Sequence, residues 1–106
     1  MLHAVVYAKD PLGLATFYGA VLGEDLDADP GGRFATVAPK DGDYELHLVA
    51  VADDLVDQIL IASPPVPRTE TPIKLVLDVG DLDAARGRVG IAGGTLAPQA
   101  EAWTWR

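Results

Sequence analysis

The sequence predicts one α+β domain made of two successive strand–helix–strand units. Three observations carry this. The order strand, aspartate, helix, glycine occurs twice, at residues 3–23 and 73–94. A Pro-rich stretch between the copies can continue neither a helix nor a central strand. The length of 106 residues suits one hydrophobic core and is short for two ordinary domains. The units divide as a first module at 1–51, a linker at 52–72 and a second module at 73–106.

The first strand is "HAVVYA", whose alternation sends His3, Val5 and Tyr7 to one face and Ala4, Val6 and Ala8 to the other. The second face is small and apolar and fits beneath a helix. That helix is "DPLGLATFYGAVLG". Asp10 is the N-cap, Pro11 occupies the first helical position, where a missing N–H is harmless, and Gly23 is the left-handed C-cap. Leu14, Phe17, Tyr18, Val21 and Leu22 recur at helical spacing as its apolar stripe, with Phe17 assigned to the core. In "EDLDADPGGRFATVAP" the turn "DPGG" joins two hairpin strands, the second being "RFATV". The strand "YELHLVAV" follows, with Tyr44, Leu46, Leu48 and Ala50 on a core face and Glu45, His47, Val49 and Val51 on a mixed one.

After the linker, "IKLVLDV" reads as a strand with Lys74, Val76 and Asp78 on one face. Asp81 caps a second helix that buries Leu82, Ala85, Val89 and Ala92, and Gly93 and Gly94 stop it. A short strand at "TLAP" and the start of another at "AWTWR" complete the reading.

Composition excludes several classes of function. There is no cysteine, so any metal must be held by His, Asp or Glu. A formal charge of −8 repels phosphate backbones, which argues against nucleic acid as a partner. Ten of the sixteen acids lie between Glu24 and Asp57 and read as a solvated surface. No apolar run approaches the roughly 20 residues that span a bilayer, and no leader pattern opens the chain, so the expected setting is the cytoplasm without membrane attachment. No serine or threonine has an attendant base, and neither glycine pair fits a phosphate-binding loop.

The pieces "HAVVYAKDPLGLATFYGAVLG", "YELHLV" and "VLDVGDLDAARGRVGIAGG" together resemble the vicinal oxygen chelate superfamily, which includes glyoxalase I, bleomycin-resistance proteins and extradiol dioxygenases. Among these the wording is most similar to small glyoxalase-like proteins. The resemblance implies two βαβββ-type modules forming a curved mixed sheet of the glyoxalase/bleomycin-resistance/dihydroxybiphenyl dioxygenase type. It implies a ligand cleft between inner faces and a homodimer. It also implies a closing turn and strand beyond "AWTWR", so the second module reads as incomplete, with an open sheet edge that invites pairing.

In metal-dependent members of that superfamily, four ligands come from the inner faces. The resemblance places the first on His3, the second on Glu45 and the third on Lys74, whose ammonium has no lone pair to offer. The fourth would lie in the closing strand. Two protein ligands fall short of the three usual for a catalytic zinc site. His47 shares the face of Glu45, but residues two apart on a strand are roughly 7 Å apart, so joint coordination demands a cooperating strand. The expectation is therefore no intact metal site and no cofactor.

The face opposite the helix collects His3, Tyr7, Glu45, His47 and Lys74 with apolar neighbours, the composition of a small-molecule site. The same residues also fit a half-exposed sheet in which Lys74 pairs with Glu45 or Asp78. Trp103 and Trp105 alternate on one side of the last strand and form a ligand wall, a subunit interface or a packing surface for a closing segment. The reading favoured is a glyoxalase/bleomycin-resistance-like protein binding a small cationic or aromatic molecule. The alternatives are a metal-dependent lyase, isomerase or dioxygenase completed by a partner chain, and a truncated domain without chemistry. The residues alone do not decide whether the protein is an enzyme.

Overall fold

A computed structural model describes residues 1–64, 66, 68 and 71–98. The elements are β1 (Leu2–Ala8), α1 (Pro11–Leu22), β2 (Leu26–Ala28), β3 (Phe34–Val37), β4 (Tyr44–Ala50) and α2 (Leu82–Ile91), with a 3₁₀ turn at Asp53–Leu55. The strands form one mixed sheet in the order β1-β4-β3-β2. β1 and β4 are parallel, and the β2–β3 and β3–β4 pairs are antiparallel. A parallel pair requires a crossover, and α1 supplies it. The first module thus has the expected strand–helix–strand–strand–strand order.

The local signals act as read. Asp10 Oδ1 accepts the amide of Gly13 at 3.0 Å, Pro11 opens α1, and Gly23 adopts φ 70° as the left-handed cap. Asp29 organises the hairpin turn by accepting the amides of Phe34 at 2.8 Å and Gly31 at 3.1 Å. The largest cause, the Phe34 amide bond, holds the Asp29 carboxyl below its ordinary value.

The core lies between α1 and one sheet face and consists of Ala15, Ala35, Val37, Leu46 and Leu48, flanked by Ala4, Val6, Leu14, Tyr18, Leu22 and Leu26. The helix positions closest to the sheet are small: Ala15 is fully buried and Gly19 is buried beside it. A Cβ on Gly19 would stand 2.9 Å from the carbonyl oxygen of Glu24, so glycine permits the chain to turn back tightly after the helix. The larger stripe residues flank this seam. Phe17 is half-buried, packing edge-on to Tyr18 and close to Gly94 after α2, and so lies outside the fully buried core expected for it. Burial raises the pKa of the Tyr18 phenol.

The second half departs from expectation. α2 forms with Asp81 as cap, and Arg88 Nε donates to the Val21 carbonyl at 3.0 Å, tying α2 to the end of α1. Residues 73–79 and 95–98, however, form no strand. A strand is a property of a pair, and alternation supplies only one partner. Without a neighbouring ladder Ile73 and Val76 stand exposed. No helix of the described residues is long and apolar enough to cross a membrane.

Candidate metal centre

With α1 on one face, alternation leaves His3, Val5 and Tyr7 of β1, Glu45, His47 and Val49 of β4, and Phe34 and Thr36 of β3 on the other. Register then decides which of these meet. His3 lies beside Glu45 and Val5 beside His47 across the parallel pair, while Thr36 lies opposite His47 across the antiparallel one. The cooperating strand that Glu45 and His47 need is therefore β1 of the same chain.

Three donor atoms converge. His3 Nδ1 is 3.2 Å from Glu45 Oε2, His47 Nε2 is 3.3 Å from the same oxygen, and the two nitrogens are 2.9 Å apart. The imidazoles stack with centroids 5.2 Å apart and planes at 15°. This is the one group of three or more His and acidic residues among the described residues able to hold a metal ion. The side chain of His3 is 52% exposed and that of His47 27%, so the cluster is open to solvent from the β1 side. His47 also reaches Thr36, whose Oγ1 is 3.0 Å from Nδ1.

The donor set fits a divalent cation. Two imidazole nitrogens and one carboxylate suit Zn²⁺, Fe²⁺, Mn²⁺ or Ni²⁺. At bonds of about 2.1 Å, neighbouring ligand atoms stand about 3.0 Å apart in an octahedron and about 3.4 Å in a tetrahedron. Of the three observed separations, 3.2 and 3.3 Å fall within that interval and 2.9 Å lies just below it.

The other expected site residues are placed differently. Tyr7 shares the face but pairs with Val49, one further row along the sheet from His47. Lys74 lines an open cavity of about 840 Å³ together with Leu2, Ala4, Tyr44 and Leu46, and none of the three donors lines it. Trp103 and Trp105 lie outside the described residues. Thr36 and Phe34 were not among the expected site residues. The alternation of "RFATV" puts them on the open face, but only the β3–β4 register brings Thr36 to His47.

A search of curated proteins finds no significant match. Among solved structures, the chain is similar to the crystal structure of lactoylglutathione lyase from Agrobacterium tumefaciens, at 20% identity and a TM-score of 0.47, over 86% of this chain and 68% of that one. The family described as "Glyoxalase-like domain" matches residues 3–106, starting at the histidine of the donor cluster, and the chain belongs to that family.

Proposed function

We propose that this glyoxalase-like domain binds one divalent metal ion through His3, Glu45 and His47 and presents it to a small molecule on the open sheet face. The observation that carries the proposal is the convergence of three donor atoms from two strands of one module at separations of 2.9–3.3 Å. When bound, the ion supplies Lewis-acid chemistry, polarising an oxygen of the ligand.

The chain's own residues favour one chemical class of ligand. Two neutral imidazoles and one carboxylate leave a divalent site with a net positive charge, which favours a neutral or anionic oxygen donor over the cationic ligand expected from the acidic composition. Next to the donors, Val5, Tyr7, Val49 and Phe34 make an apolar and aromatic shelf on the same face, suited to the body of such a molecule. His3, on the edge strand and half exposed, lets the ligand approach from solvent.

The test is metal content and affinity. Protein purified without chelator should carry about one ion per chain or take one up from Zn²⁺, Ni²⁺ or Mn²⁺, with a thermal midpoint that rises with metal concentration. His3→Ala and His47→Ala should abolish that rise. A wild-type protein indifferent to all three ions overturns the proposal.

A further inference from the structure

We infer that Thr36 is a positioning residue for this centre: its hydroxyl oxygen accepts Nδ1–H of His47 and thereby presents the Nε2 lone pair to the ion. The inference rests on the metal reading above and concerns a residue outside the donor set. A neutral imidazole carries one N–H, and the nitrogen that bears it cannot ligate. His47 directs Nε2 at Glu45 Oε2 and His3 Nδ1, so ligation requires the proton on Nδ1. The atom 3.0 Å from that Nδ1 is Thr36 Oγ1. A hydroxyl can accept there while its own hydrogen turns elsewhere.

The support beneath this contact is rigid. Thr36 lies directly opposite His47 in the antiparallel ladder, and β3 sits between β4 and β2. A β-branched side chain on such a strand has little χ1 freedom. The flanking residues Ala35 and Val37 are fully buried, which anchors the backbone on either side of Thr36. His47 is thus gripped at both ring nitrogens, whereas the more exposed His3 approaches from the edge strand. Valine at position 36 would keep the branched shape and remove the acceptor, leaving Nδ1–H facing a methyl group.

The experiment compares zinc dissociation constants of wild type, Thr36→Val and Thr36→Ser by competition with a chromophoric chelator, with thermal midpoints of the metal-free proteins as a folding control. Thr36→Val is expected to weaken zinc binding about 10–100-fold, the usual range for losing a partner of a ligating histidine. Thr36→Ser, which restores the hydroxyl without the methyl, should return within about threefold of wild type. Equal affinity of wild type and Thr36→Val overturns the inference while leaving the metal centre standing. Equal losses in Val and Ser variants also overturn it, assigning the effect to packing. A wild type that binds no zinc sinks the metal centre and the inference together.

Discussion

His3 of β1 and Glu45 of β4 are register partners in a parallel pair, and their side chains meet at 3.2 Å between Nδ1 and Oε2. The pairing sets a carboxylate beside an imidazole at the β1 edge of the sheet. In Glu45→Gln the shape persists but the charge is gone. Zinc affinity should fall by more than about a hundredfold, beyond the range seen when only a supporting partner is lost. Chelator competition measures it, and affinity within tenfold of wild type would show that Glu45 is not a ligand.

The core and the centre occupy opposite faces of β4, so damage to one should spare the other. Leu48 is fully buried and next in sequence to His47. Leu48→Ala should cost about 2–5 kcal/mol of stability by transfer and cavity effects. Urea unfolding should show a lower midpoint at an unchanged slope. Zinc affinity of the folded protein should stay within a few-fold of wild type, and loss of both together would reject this separation of faces.

Gly13 and Asp10 are coupled through the helix cap. Alanine for glycine inside a helix ordinarily gains about 1 kcal/mol. Here a Cβ on Gly13 would strike the Asp10 carboxylate that caps α1. Gly13→Ala alone should therefore bring no net gain, because losing the cap costs about as much. In an Asp10→Ala background the same change should stabilise by about 1 kcal/mol. A double-mutant cycle measured in urea decides it, and additive effects would refute the coupling.

Asp29 gives the hairpin a pH dependence. Its folded pKa lies below the ordinary 3.8, chiefly through the Phe34 amide, which outweighs the opposing desolvation, with smaller lowering contributions from the Arg33, Gly31 and Asp29 amides. A depressed acid contributes stability that is full above its unfolded pKa and is lost as pH falls through the folded value. The stability difference between wild type and Asp29→Ala should thus be constant at neutral pH and shrink as pH drops below 3.8. A difference independent of pH across that window would show that the carboxylate charge does not support the turn.

Gly94, just after α2, packs against Phe17 of α1 beside the Arg88–Val21 hydrogen bond. A Cβ there would stand 2.5 Å from Phe17 Cε1 and 2.8 Å from Val89 Cγ1. Gly94→Ala should cost about 1–3 kcal/mol by overpacking. Amide exchange should show the loss first in α2, and unchanged protection there would contradict this packing.

The first module was legible because its signals are local. Asp10, Pro11 and Gly23 bound α1 through their own backbone chemistry, and period-two alternation assigned the faces of β1 and β4 without knowledge of their partners. The same alternation in residues 73–79 led to a strand that does not form, since pattern specifies a face and not a neighbour. Phe17 was placed in the core by its position in the helical stripe, whereas the α1–sheet seam selects Ala15 and Gly19 because close approach needs small side chains.

By itself, the sequence determined the order of the first five elements, the sign of the charge, and the presence of His3, Glu45 and His47 on one sheet face. Glu45 and His47, about 7 Å apart by backbone rise, need a cooperating strand to bring their donor atoms together. The tertiary structure brings their donor atoms to 3.3 Å. The parallel register sets His3 beside Glu45, and the antiparallel register sets Thr36 against His47. Register is fixed by how α1 and the hairpin seat buried residues on the far face, a long-range packing outcome that local periodicity does not encode.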